Sequence, residues 1–300
     1  MYGTNLSSNI RNPRLLLVVL AALALLLTSV VVAPPASAAT RPGSGNTGVP
    51  VGTAMKKYTG ELVITTPGTV ISGYDVYGYI TVKAPNVTIT KTRVRGGKPT
   101  TDRDLIRAND VNAYNLKVID STIQPDYPSA KQAIGIRLGA SNQLVQRVNV
   151  NSTVDGIRIT GKGARVESSW LHDFKHYSYD PYYKDGTHDD AIQLEGGTGI
   201  RILNNSFSGA YNAGVMVAQD RAAISDLQIN NNWANGGGCT INIAKKSYPY
   251  MSGLVVNYNR FGRNQRNPNC AIVYRYSETS LKPVGNVWDD NGAAVKPTAY

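Results

Sequence analysis

Gly135-Ile136-Arg137-Leu138, Gly156-Ile157-Arg158-Ile159 and Ala191-Ile192-Gln193-Leu194 are one phrase written three times: a small residue, then two inward-facing apolar residues around one outward side chain. The phrase returns as Gly214-Val215-Met216-Val217, Thr240-Ile241-Asn242-Ile243 and Ala271-Ile272-Val273-Tyr274, and Leu105-Ile106-Arg107-Ala108 reads as an earlier copy. Its second residue falls at 106, 136, 157, 192, 215, 241 and 272, in steps of 30, 21, 35, 23, 26 and 31 residues. One strand phrase in every ~20–30 residues is the signature of a solenoid.

A second phrase alternates with the first: Leu116-Lys117-Val118, Ala164-Arg165-Val166, Ile200-Arg201-Ile202, Leu227-Gln228-Ile229 and Leu254-Val255-Val256. Three of these are followed, three residues after the last apolar position, by Asn205, Asn232 and Asn259. Asparagines at equivalent places in successive coils can stack and exchange amide hydrogen bonds. Two or more strand phrases per repeat, with turns between them and no long helical period, describe an all-β chain. The fold expected is a right-handed parallel β-helix, each coil one rung, neighbours sharing an Ile/Val/Leu core.

Cys239 and Cys270 each stand two residues before the second residue of their phrase. They therefore occupy equivalent corners of adjacent rungs, about 4.8 Å apart, within the span of a disulfide. A Cys239–Cys270 bridge is predicted, two free buried thiols being the alternative.

The 300 residues carry a formal charge of +11. Residues 1–14 are polar and end in two arginines, Leu15 to Ala33 is an almost unbroken apolar run, and Ala36-Ser37-Ala38 follows two prolines. This reads as a secretory signal peptide over 1–38, cleaved after Ala38, with a retained membrane anchor as the alternative. Residues 1–38 hold Arg11 and Arg14 and no acid, so their removal lowers the charge by two, to +9. The product expected is extracellular, monomeric and free of the membrane. Residues 39–55 are rich in Gly, Pro and Ser and read as a flexible linker, and 56–300 as the β-helix domain. The tail from Trp288 to Tyr300 is the candidate cap for one open end.

Stacking aligns the outward residues of the first phrase into a column: Arg107, Arg137, Arg158, Gln193, Met216, Asn242, Val273. Three arginines one rung apart repel one another, so an anion belongs beside them. An acidic loop of the same chain would serve, as would a carboxylated or sulfated polysaccharide. Two positions on, a second column reads Gly139, Thr160, Glu195, Ala218, Ala244, Arg275, whose small members leave a trough beside Glu195. The 35-residue step holds all three histidines, in His172-Asp173, His176 and His188-Asp189-Asp190, together with Tyr177, Tyr179, Asp180, Tyr182, Tyr183, Lys184 and Asp185. A long, charged, aromatic loop leaving a regular solenoid is a functional candidate. Its tyrosines suit sugar rings, and its His and Asp suit proton transfer. Asp189 and Asp190 are candidate oxygen ligands for Ca²⁺, and no spacing matches a structural zinc site.

The rung phrases, the asparagine positions and the export signal together resemble the secreted pectate-lyase-like β-helix superfamily over roughly residues 60–290. Gly186-Thr187-His188-Asp189-Asp190-Ala191-Ile192-Gln193 is similar to a His-x-Asp-x-Ile-Gln phrase found in bacterial members. The resemblance implies action on a polysaccharide, without naming the reaction. For a lyase acting on an acidic polysaccharide, the leading expectation, Arg137 and Arg158, or a bound Ca²⁺, would neutralise a uronate. His188 or His172 would be the base, oriented by Asp189 or Asp173, and Lys184 or a loop tyrosine the acid. Arg107, Gln193, Glu195, Tyr182, Tyr183 and Arg275 complete the expected substrate contacts. Polygalacturonase-like hydrolases offer a second comparison: Thr153-Val154-Asp155-Gly156 partly matches their Asn-Thr-Asp phrase and Asp189-Asp190 their Asp-Asp pair. Their Gly-His-Gly and Arg-Ile-Lys phrases have no counterpart, Tyr211-Asn212-Ala213-Gly214 standing where the former would fall. A non-catalytic carbohydrate-binding module is the third reading. Nucleic-acid binding is not expected, since the basic residues are scattered over the rungs.

Overall fold

In the first phrase Ile106, Ile136, Ile157, Ile192, Val215, Ile241 and Ile272 pair in one unbroken parallel register. None of the seven is more than 1% exposed. The computed structural model describes residues 40–131, 133–180, 183–244, 248–275 and 281–299, and it is a parallel β-helix. The predicted signal peptide, residues 1–38, lies outside the described residues, as does Tyr182.

Each coil turns through three faces. The first carries Asp104–Ala108, Ile134–Leu138, Asp155–Ile159, Asp190–Leu194, Ala213–Val217, Ile241–Ile243, Ile272–Tyr274 and Thr298–Ala299. The second carries Thr88–Thr90, Lys117–Ile119, Leu144–Gln146, Arg165–Glu167, Gly197–Leu203, Ile224–Asn230 and Ser252–Asn257. The third carries Arg93–Val94, Thr122–Ile123, Asn149–Asn151, Trp170–His172, Ser206–Ala210, Trp233–Gly236, Arg260–Phe261 and Val287–Trp288. At the N-terminal end Tyr74–Val82 runs on through both the third and the first face. At the other end the tail supplies the final strands of these two ladders, and Trp288 sets its edge against Phe261.

Between the second and third faces the chain turns sharply at a single residue. Lys91, Asp120, Arg147, Ser168, Asn204, Asn231 and Tyr258 hold φ between +48° and +59° there, and Gly285 takes the same place at +68°. In most coils the turn aims the next residue's N–H at a side chain of the following coil. Ser121 and Ser169 Oγ accept from Thr92 and Val148 N, and Asn205 Oδ1 accepts from Ser169 N at 3.0 Å. Asn232, Asn259 and Asn286 repeat the bond, accepting from Asn205, Asn232 and Asn259 N at 2.8, 2.9 and 3.0 Å. Each amide Nδ2 also donates to a buried carbonyl: Val166, Ile202, Ile229 and Val256 in turn. The expected asparagine stack is thus present, with Asn286 added to it. One core position is polar as well. Gln143 replaces the apolar residue that starts the second phrase, and its amide binds Ala108 O, Ala113 O and Ala140 N.

The small residue that opens the first phrase is a steric requirement. A Cβ on Gly156 would lie 2.5 Å from Ala191 O and 2.9 Å from the Phe174 ring. The predicted disulfide is formed between Cys239 and Cys270, with Cα atoms 4.7 Å apart.

The Gly/Pro-rich stretch departs from its reading as a flexible linker. Residues 40–55 lie along the third face, fastened by Gly48 N to Arg147 O at 2.9 Å and Val49 N to Thr122 Oγ1 at 3.1 Å. Arg41 holds the other end, at Ser206 Oγ and at Asp289. Composition alone misses this, because what fixes the stretch is backbone donors meeting acceptors on coils far away in sequence.

Asn232→Ala is expected to lower stability by about 3 kcal/mol in urea unfolding, since it strands Asn205 N and Ile202 O in a dry corner. A loss below about 0.5 kcal/mol would show that the ladder is incidental.

Candidate functional site

The outward column expected from the phrases is the one observed: Arg107, Arg137, Arg158, Gln193, Met216, Asn242 and Val273 stand opposite one another on successive coils of the first face. Its arginines do not wait for a ligand. Asp104 accepts from Arg107 Nε at 2.8 Å and from Arg137 Nε at 2.7 Å. Asp155 accepts from Arg158 Nη2 at 2.5 Å, and Glu195 lies 3.6 Å from the other arm of that guanidinium and 2.8 Å from Arg221 Nε. Of the two sources of negative charge, the protein's own carboxylates are realised, on the coils themselves rather than on a loop. The signal was the repeated Asp-x-x-Arg at 104–107 and 155–158, of which Asp104 escaped notice.

These residues floor a groove of about 750 Å³. Arg107, Arg137, Arg158, Gln193, Glu195, Asp155 and Asp190 line it, and Tyr179, Tyr183, Thr187 and His188 of the long loop roof it. The roof is closed at its root by a reciprocal pair, Tyr177 N to Thr187 Oγ1 and Thr187 N to Tyr177 O, both 2.9 Å. Tyr183 stacks on His188 at 3.7 Å, and His188 Nε2 meets Asp185 at 3.1 Å.

At the floor the strand starts bring two carboxyls together. Asp155 and Asp190 are each 1% exposed, and Asp190 N donates to Asp155 Oδ1 at 3.0 Å. Asn212 Nδ2 donates to Asp190 Oδ1 at 2.9 Å, while Asp190 Oδ2 has no hydrogen-bond partner among the described residues. Burial pushes both carboxyls upward. Asp190 is driven well above the usual carboxylate range, by burial and then by the charge of Asp155. At Asp155 the Arg158 guanidinium works against the rise. Two carboxyls packed together away from water, both pushed toward the neutral form and Asp190 the more strongly, make an environment suited to a general acid.

The other expected site residues part company. Asp189 sits behind the floor, fully buried, its oxygens taken by Tyr211 N at 2.5 Å and His176 Nδ1 at 3.0 Å. With both Asp189 oxygens and one Asp190 oxygen so engaged, the pair does not make the oxygen-rich shell of Ca²⁺. Among the described residues no three His, Cys, Asp or Glu side chains converge on a metal position. His172 ends the third-face strand Trp170–His172, and Asp173, at φ +52°, forms the corner that follows it. His172 stacks on Trp170 at 3.5 Å and bonds Asp173 and Asn149, lining a different cavity from the groove. Burial holds its imidazole below the ordinary value. Lys184 is exposed and outside the lining, as is Arg275 farther down the first face. Asn212, which no phrase marked, belongs to the floor.

The chain matches the family model described as right handed beta helix region over residues 104–288. No curated protein matches it. Among solved structures it is similar to the crystal structure of Dettilon tailspike protein (gp208), with 14% identity and a TM-score of 0.48, covering 82% of this chain and 60% of that one. The chain thus spans less than two thirds of that protein. With the family match extending over more than half of its length and each coil in register, the chain belongs to the right-handed β-helix family.

Proposed function

We propose that this protein hydrolyses glycosidic bonds of a polysaccharide laid in the first-face groove, with Asp190 as proton donor. The observation that carries the reading is the buried Asp155–Asp190 carboxyl pair at the groove floor, where Asp190 Oδ2 has no hydrogen-bond partner among the described residues and burial raises Asp190 well above the usual carboxylate range. Asp190 gives its proton to the departing glycosidic oxygen. Glu195, paired with Arg158 and Arg221, takes a proton from the attacking water, whose oxygen bonds to the anomeric carbon. Asp155, both of whose oxygens are occupied by Arg158 and Asp190 N, sets the protonation of Asp190 instead of meeting the water. Tyr179 and Tyr183 offer ring faces to the sugar.

Elimination across a uronate draws less support. It needs a cation free to neutralise the substrate carboxylate. Arg103 pairs with Glu61 and Arg158 with Asp155, Arg107 and Arg137 share Asp104, and Lys131 donates to the uncharged Thr100 O. The carboxylates Asp104, Asp155, Asp190 and Glu195 that line the groove beside its arginines favour a neutral polysaccharide over the acidic one expected from the arginine column. Secretion belongs to the same reading, supported by the Cys239–Cys270 bridge.

A panel of neutral and acidic polysaccharides, read by reducing-end assay and ultraviolet absorbance, tests this. New reducing ends without absorbance are expected, falling at least about 100-fold in Asp190→Asn. Absorbance rising with the reducing ends would mean elimination and shift the chemistry to His188. Silence throughout would leave a binding module.

The raised pKa of Asp190 has a signed consequence for stability. The folded state keeps its proton where the unfolded carboxyl has lost it, so this contribution is present at low pH and disappears as pH climbs through the folded value. Asp190→Asn stays neutral throughout. Its Tm relative to wild type is expected to rise as the pH climbs above about 4, the range of an unfolded carboxyl. A pH-independent difference would refute the assignment.

A further inference from the structure

Beyond the groove stands a line of contacts that the chemistry above does not use. It begins at the disulfide. Cys239 and Cys270 close a loop whose backbone is laid on the preceding coil by Arg266 N to Gly237 O at 2.8 Å and Asn267 N to Gly238 O at 3.1 Å. From this loop Arg266 reaches back toward the groove. Its Nε donates to Tyr211 O at 2.9 Å, and its guanidinium carbon lies 3.6 Å from the Tyr211 ring centre. The ring of His176 is stacked on Tyr211 at 3.7 Å. Two groups this close to one ring centre cannot share a face, so Tyr211 is held between cation and imidazole.

We infer that Arg266 is a positioning residue for the groove, clamping Tyr211 so that the floor and the roof are set from one point. The inference rests on the hydrolytic reading for its effect on turnover, and on geometry alone for its effect on the roof. Tyr211 N and His176 Nδ1 are the two groups that bind the fully buried Asp189 carboxylate. Residue 212, next along the chain, places Asn212 Nδ2 on Asp190 Oδ1, while its own N–H donates to Asp189 O at 3.0 Å. Gly238 N, from the disulfide-bearing coil, donates to Asn212 O at 2.7 Å. On the roof side His176 immediately precedes Tyr177, whose reciprocal bonds with Thr187 close the loop root. Displacing Tyr211 therefore disturbs both the amide that bonds the acid and the hinge of the roof. Arg266 itself is exposed, so its removal opens no cavity in the core.

The test uses the intact protein and local amide exchange. In Arg266→Ala, exchange in the 176–188 segment is expected to quicken about threefold to tenfold, with peptides of the second face unchanged. Arg266→Gln, which keeps a donor for Tyr211 O but no charge, should fall between the two. The Cys239→Ser/Cys270→Ser double variant should quicken the same segment. On a polymer that the protein cleaves, Arg266→Ala should lower kcat more than it raises KM and move the alkaline limb of the pH profile, since Asp190 loses its Asn212 bond. Unchanged exchange at 176–188 in both Arg266 variants would overturn the clamp, whatever the turnover. Quickened exchange in a protein that cleaves nothing would keep the clamp and sink the hydrolytic reading.

Discussion

Every feature of this molecule follows from one constraint, the in-register hydrogen bonding of each coil to the next. Strands locked about 4.8 Å apart turn any residue type that recurs once per coil into a continuous column. Apolar recurrence gives the core, amide recurrence the corner ladder, and paired cysteines a covalent staple. The same constraint makes chemistry hazardous, because like charges recur as readily as like apolar groups. The arginine column is tolerable only because Asp104, Asp155 and Glu195 enter it from the same face.

Periodicity made much of this legible. The first phrase set the register of seven coils, the outward column and the cysteine pairing, all from side chains whose burial alternates. What stayed hidden did so for identifiable reasons. The second-face strand Leu144–Gln146 went unmarked because Gln143, a polar side chain, fills an apolar position by satisfying its own amide. The corners were silent because Lys91, Arg147 and Tyr258 carry no turn signature, the left-handed backbone being imposed by coils above and below. Asn286 lacks the strand phrase that announced its three predecessors.

The site was half readable. Nearness in sequence suggested that the three histidines act together. A single corner at Asp173 leaves His172 on another face, His176 goes behind the floor, and only His188 reaches the groove. Conversely Asn212 and Asp190, 22 residues apart in sequence, are hydrogen-bonded at 2.9 Å, a relation visible only once the coils are stacked. Carboxylates inside a strand phrase, as at 104, 155 and 190, are the pattern to seek in such chains. They occupy positions where an apolar residue would cost nothing.

The stretch beginning at residue 40 has a consequence for how the molecule comes apart. A solenoid is nearly one-dimensional: each coil touches only its neighbours, so its ends are free to fray one coil at a time. Arg41 spans to Asp289 on the last coils while Gly48 and Val49 are pinned near the middle. That tie couples the first of the described residues to the last coils. Loss of the terminal coil then also releases the Arg41 end of the segment lying across coils that are still intact, so fraying at that end is felt beyond the neighbouring coil.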